Sequence, residues 1–277
     1  MKFLAMKKIL FLCDGENFSE GAFEFVKQLS VKESLLVKGL FFTPIDIEQM
    51  IPIGFSPIAE PYVKLKEHEK ELVQKSKTHF VERCEAAGIR HAAHAYLKDW
   101  NKEFLEEESR YADLVVISEE LFCSDALDRQ PNYFMEETLR CVECPVVLVP
   151  ENFRAIESVA IAYDGKKESM LALRQFTNLF PYLLEIPTEI VHIKDDQTDE
   201  IPNPGLLREY TSAHFEAQYT SKLHFDPKKY FADWLDDKKN ILLVTGSFSR
   251  SAFSNMVKES FTTKIISRHS CPVFIAH

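Results

Sequence analysis

The chain has 277 residues, 45% of them hydrophobic and 27% charged, which is enough for two packed cores and too apolar for a disordered chain. A formal net charge of −10 repels nucleic-acid phosphates, and no basic stripe with interleaved aromatics offsets it, so nucleic acid is excluded as a partner. No apolar run reaches the roughly 18 residues of a membrane span. Six cysteines stand without a framework spacing, so reduced thiols in a cytoplasmic chain are expected.

Taken in order, the chain opens on basic residues after Met1, with Met6 as an alternative start. Asp14 and Gly15 end the apolar run early, so Ile9 to Cys13 reads as a first strand and not as a leader. A helical pattern follows through Ala22, Phe23, Val26 and Leu29. Ser34 to Phe42 is a second strand. Thr43 to Pro61, broken by prolines, is a loop, and Tyr62 to Gly88 a long charged helix. His91 to Leu97 is strand three, Trp100 to Tyr111 a helix and Ala112 to Ile117 strand four. A loop over Ser118 to Asn132, a helix over Tyr133 to Val142 and strand five over Pro145 to Val149 complete the first half.

After a linker, Pro150 to Ala155, the plan repeats. Asp14-Gly15 recurs as Asp164-Gly165, 150 residues on, and Cys144-Pro145-Val146 recurs as Cys271-Pro272-Val273, 127 residues on. The second copy is therefore the shorter, and a repeat of this length means duplicated domains, not a solenoid with a period of about 20–50 residues. The expected second-half elements are strand Val159–Tyr163, helix Glu168–Phe180, strand Glu189–Ile193, a remnant helix Leu206–Ala213, strand Phe215–Thr220 and helix Pro227–Asp236. Strands alternating with helices imply parallel sheets covered on both faces, with ligands beyond the carboxyl ends of the strands.

The last stretch, Ile241 to His277, reads strand, polar loop, helix, strand. An apolar run Ile241–Val244 leads into Thr245-Gly246-Ser247-Phe248-Ser249-Arg250-Ser251. Phe253, Met256, Val257, Phe261 and Ile265 then mark one helix face, and Cys271 to Ala276 close the chain as a strand. A loop of this kind ahead of a helix leaves unpaired N–H groups and a dipole that suit an anion.

This segment resembles the end of a universal stress protein domain. That family's loop reads Gly, two residues, Gly, nine residues, then Gly-Ser or Gly-Thr, ahead of a strand often beginning Cys-Pro-Val. Here the frame is Gly246, then Ser249, then nine residues, then Glu259-Ser260. The resemblance covers nearly the whole chain twice. It implies an α/β fold of two tandem universal-stress-protein-like (adenine nucleotide α-hydrolase-like) domains, 1–150 and 156–277, each a five-stranded parallel sheet of order 3-2-1-4-5 with helices on both faces. It also implies pairing of the two domains through their last strands, Pro145–Val149 against Pro272–Ala276. Such pairing would cover two hydrophobic edges.

In nucleotide-binding members an Asp after strand one contacts the adenine–ribose part, which the resemblance carries onto Asp14 and Asp164. An Asp-Gly pair is equally a turn or helix-capping signal. In the second half, Gly246 allows close backbone approach to a phosphate, Ser247, Ser249 and Ser251 offer hydroxyls, Arg250 offers a cationic fork, and Ser260 holds the family's last phosphate position. Ser249 and Glu259 replace two glycines, and a Glu259 carboxylate would repel a triphosphate, which favours AMP or a smaller anion over ATP. The first-half loop, Ser118-Glu119-Glu120-Leu121-Phe122-Cys123-Ser124-Asp125, has no glycine and three acids, so no phosphate is expected there.

Cys141 and Cys144 have the spacing of a zinc or redox half-site but no second pair, and read as structural. His91 and His94, three apart on a strand, face opposite sides and cannot share a metal. His269 reads as a helix C-terminal cap. No G-x-S-x-G elbow supports a hydrolase. The expected function is thus a stress-response or regulatory protein without turnover, binding a small ligand or adenine nucleotide (ATP or AMP) in its second domain. The alternatives are a ligand-free scaffold for a protein partner and, further off, an ATP-hydrolysing enzyme.

Overall fold

The computed structural model describes residues 6–14, 18–42, 60–95, 102–118, 133–193, 200–224, 227–246 and 271–276. Its first half runs β1 (Lys7–Asp14), α1 (Glu20–Lys32), β2 (Leu35–Phe42), α2 (Glu60–Ala86), β3 (Arg90–Ala95), α3 (Lys102–Arg110), β4 (Leu114–Ser118), α4 (Tyr133–Cys141) and β5 (Val146–Val149). The second runs β6 (Ser158–Ala162), α5 (Lys167–Leu179), a 3-10 turn (Pro181–Glu185), β7 (Thr188–Ile193), α6 (Pro204–His214), β8 (Gln218–Leu223), α7 (Pro227–Asp236), β9 (Ile241–Gly246) and β10 (Val273–Ala276).

The strands form one ten-stranded sheet of order β3-β2-β1-β4-β5-β10-β9-β6-β7-β8. Within each half the order is the expected 3-2-1-4-5, and every neighbouring pair is parallel. The halves join where β5 and β10 pair antiparallel, Val147 opposite Phe274. Where two separate sheets would each leave a hydrophobic last strand uncovered, this pairing removes both edges.

The central strands are apolar on both faces because helices cover both. One layer, α1, α2, α5 and α6, packs on Ile9, Phe11, Val116, Ile161 and Val244. The other, α3, α4 and α7, packs on Leu10, Leu12, Ile117, Ala160 and Leu243. Each core is continuous through the seam. Phe180 rings meet Phe25 at 6.3 Å, Phe274 at 5.7 Å and Phe176 at 5.6 Å, so α1 of the first half shares a core with α5 and β10 of the second. Lys7 adds a polar tie: its Nζ donates to Leu179 O at 2.6 Å and pairs with Glu33 at 2.9 Å.

Both Cys-Pro-Val signals have the same job. Pro145 O accepts from Val115 N–H at 2.9 Å and Pro272 O from Leu243 N–H at 3.0 Å, so each proline enters its strand where no N–H of its own is needed. Cys141 and Cys144 are buried free thiols whose pKa burial pushes up to about 12, which suits packing and not redox chemistry. His91 packs beside Phe80 of α2 and His94 beside Phe104 of α3, on opposite faces of β3.

Two elements depart from the expected ones. The strand read at Phe215–Thr220 lies at Gln218–Leu223, because Phe215 caps α6 through its N–H to Thr211 O (2.9 Å) and buries its ring in the core. The turn at Pro181–Glu185 carries no periodic signal of its own. Leu183 and Leu184 are buried there by neighbours distant in sequence. The helix expected at Phe253–Ile265 and the loop after Ser118 lie outside the described residues.

Candidate functional site

The switch point of the second half lies between β6 and β9, since β6 is followed by β7 on one side and β9 sits on the other. The register Ile161↔Val244 brings the carboxyl ends of the two strands level, so Asp164 and Gly246 come to the same end of the sheet. These two are the sequence-predicted residues that the structure brings together. Asp14 ends β1 at the corresponding point of the first half, and its side chain lies outside what is described. Ser247, Ser249, Arg250 and Ser260, with Glu259, also lie outside the described residues.

Asp164 is built into the start of α5. Its Oδ1 accepts from Lys166 N–H at 3.0 Å and its Oδ2 pairs with Lys166 Nζ at 3.2 Å. Burial alone would raise the carboxyl, but the Lys166 N–H, the Ser169 hydroxyl and the Lys166 ammonium outweigh it and hold the pKa below the ordinary aspartate value. Lys166 at the N-cap makes no side-chain cap, and Asp164, two residues upstream, instead holds the N–H of Lys166 itself. The side chain remains half exposed, leaving an ionised carboxylate at the crevice mouth.

Gly246 is explained by packing as much as by any ligand. A Cβ there would lie 2.6 Å from the Glu168 carbonyl and 2.8 Å from Ser169 N, so the first turn of α5 rests directly on the end of β9. The same end carries features that the motif reading missed. Tyr163 is buried, and its carbonyl accepts from His192 Nδ1 at 2.8 Å; a carbonyl only accepts, so that nitrogen carries the proton. Gly165 sits at φ +79°, a conformation that favours glycine. Only the Asp-Gly dipeptide announced this turn in the sequence; the partners of Tyr163 and His192 are brought in by the fold.

A groove of about 410 Å³, lined by Phe25, Val31, Phe153, Ile156, Tyr182 and Ile186, opens elsewhere. It lies between the last turns of α1 and the residues ahead of β7, at amino ends of strands and away from the switch point. Among the described residues, no group of three or more His, Cys, Asp or Glu side chains is placed to hold a metal, and no helix is long and apolar enough to cross a membrane.

A doubly wound, two-fold α/β protein with an aspartate and a glycine at the strand switch point of its second half is the class that fold and site define. No family model matches the chain. Universal stress protein Slr1230 of Synechocystis sp. is 23% identical over 285 aligned residues, covering 97% of this chain and 99% of that one. Among solved structures, a universal stress protein from Archaeoglobus fulgidus superposes with a TM-score of 0.69 at 16% identity, covering 98% of this chain and 96% of that one. A putative universal stress protein from Pseudomonas aeruginosa superposes at 0.51 with 10% identity, covering 98% and 93%. The chain is thus similar from end to end to a universal stress protein in sequence, and it shares the fold of solved universal stress proteins.

Proposed function

We propose that this chain is a non-catalytic, cytoplasmic stress-response protein of two domains, 1–150 and 156–277, whose second domain binds an adenine nucleotide. The observation that carries the reading is the meeting of an ionised Asp164 with Gly246 at the β6–β9 switch point. The carboxylate can accept ribose hydroxyls, and the loop that begins at Gly246 supplies Ser247, Ser249, Arg250 and Ser260 for a phosphate. AMP is favoured over ATP because Glu259 would stand against a longer phosphate chain. The first domain carries Asp14 without a glycine loop and serves as the structural partner.

A second reading, a ligand-free scaffold for a protein partner, draws on one observation. Gly246 and Asp164 are each accounted for by the seating of α5 alone. Calorimetric titration of the full chain with AMP, ADP and ATP, each with magnesium, separates the two. Micromolar AMP binding, weakened at least about ten-fold in Asp164→Ala, is the expected result. No heat from any nucleotide, together with none released on denaturing the purified protein, would overturn the nucleotide reading in favour of the scaffold.

A further inference from the structure

The groove at the seam takes its walls from both halves. From α1 to β2 the chain uses two residues, Glu33 and Ser34, whereas from α5 to β7 it uses eight, Phe180 to Pro187, which carry the 3-10 turn. That longer connection brings Tyr182 and Ile186 to the last turns of α1, and Phe153 and Ile156, which follow β5, complete the apolar wall. The walls are tied in place by the fold itself. Phe153 meets Phe25 edge to face at 5.7 Å, the Gln28 amide donates to Arg154 O, and Leu184 O accepts from Glu216 N–H at 3.1 Å. The volume of about 410 Å³ falls within the roughly 300–1,000 Å³ of small-molecule sites.

Two donors that line this groove have no partner among the described residues. Tyr182 is partly buried, yet its hydroxyl makes no hydrogen bond. Burial and the nearby Glu33 charge raise its pKa, so the hydroxyl stays protonated and able to donate. A hydroxyl withdrawn from water without a partner is unfavourable, and a ligand oxygen would satisfy it. Lys32, exposed in the last turn of α1, makes no ion pair. Val31 beside it is 78% exposed, an apolar side chain on the rim that the fold does not cover. The surrounding charge admits one anion and no more. Lys7 already matches Glu33, Glu185 stands exposed on the rim, and the end of α1 is the negative pole of that helix.

We propose that this groove is a ligand site for a small aromatic monocarboxylate, its ring against Phe25, Phe153 and Ile156 and its carboxylate at Lys32 and the Tyr182 hydroxyl. Phenylalanine rings set edge to face suit a flat aromatic body, and the ammonium and the phenol supply the two donors that one carboxylate accepts. The site lies away from the switch point and does not depend on the nucleotide reading.

The test uses the full chain with phenylacetate and its uncharged isostere phenylacetamide as probes, read by calorimetry. Wild type should bind phenylacetate more tightly than phenylacetamide. Lys32→Gln should weaken phenylacetate about three-fold, the size of an exposed ion pair, and leave phenylacetamide unchanged. Tyr182→Phe should weaken phenylacetate about five-fold without lowering the urea midpoint of the free protein, since the hydroxyl it removes bonds nothing there. Val31→Trp and Ile186→Trp, which place bulk at the groove from either side, should each weaken both probes ten-fold or more. No binding of either probe to wild type would overturn the proposal, as would binding that neither tryptophan variant reduces. Equal affinity for the two probes, unmoved by Lys32→Gln, would overturn the carboxylate assignment. Sedimentation showing wild-type dimers that Val31→Trp dissociates would instead give the groove to a second copy of the chain and overturn the ligand site.

Discussion

The two halves share a strand order and differ in how their first helix is seated. In the first half α1 begins with Ser19 as N-cap, its Oγ accepting from Ala22 N–H at 3.1 Å and donating to Glu151 at 2.7 Å. The second residue of that helix is Gly21, pressed against the Pro150 and Glu151 carbonyls, so α1 leans on the exit of β5. In the second half α5 has no side-chain cap, Asp164 holds the N–H of the residue ahead of it, Lys166, and its second residue, Glu168, leans on Gly246 at the end of β9. By register Gly246 corresponds to Ser118, a buried serine tolerated because α1 leans elsewhere. The close-approach glycine has moved from helix to strand. Its presence in the second half alone therefore follows from helix seating as well as from the motif.

A parallel inversion occurs on the opposite face. In the first half, strand lysines Lys8 and Lys38 meet Glu108 of α3. In the second half the strand supplies the acid. Glu189 of β7 accepts from Lys238 at 2.9 Å, Ser221 at 2.6 Å and Tyr219 at 2.8 Å. Charge is exchanged between strand and helix side while the position of the partly buried pair is kept.

The largest effect should come from what the halves share. Phe180→Ala removes a buried ring that both halves contact, and is expected to cost about 3–5 kcal/mol and to lower a single unfolding transition, read by chemical denaturation. Two separate transitions in the wild type would break the view of one cooperative sheet. Next, Gly21→Ala and Gly246→Ala each drive a Cβ into backbone, with an expected cost of about 1–3 kcal/mol apiece. Ser118→Gly, which copies the second half's strand end into the first, should gain nothing. A neutral Gly246→Ala would remove the seating argument.

Smallest is Glu189→Gln, about 1–2 kcal/mol at neutral pH, since Lys238 is partly exposed. Burial works to raise Glu189, but its hydrogen bonds and Lys238 hold its pKa below 4.5, so its contribution is present above that pH and lost as pH falls through the folded value. Glu108 is lowered likewise by Lys38 and Lys8 against burial. Urea unfolding from pH 7 to 3 should therefore show a shallower acid limb in Glu189→Gln and a shallower one still with Glu108→Gln added. An unchanged limb in the double variant would show that neither network differs between folded and unfolded chains.

Much of this was legible beforehand. The apolar runs at Ile9–Cys13 and Ile241–Val244, the two Asp-Gly turns and the two Cys-Pro-Val strand entries mark the repeat, and the pairing of the last strands was expected from the family resemblance, while its antiparallel sense came from the structure. The site was legible only in part. Asp164 and Gly246 could be named as residues, but the hydrogen bond of Asp164 to Lys166, the seating on Glu168 and the Tyr163–Pro202 hydrogen bond could not.

Periodicity and turn chemistry are local, so the sequence by itself determined most of the strands and helices, though not the place of β8 or the turn at Pro181–Glu185, and that the plan occurs twice. Only the tertiary structure decided which neighbour each polar group meets. Tyr163 and Pro202 are 39 residues apart in the chain, and Gly246 and Glu168 are 78 apart. Contacts of that range leave no periodic trace, because they depend on how the sheet orders its strands and not on any residue's own preference.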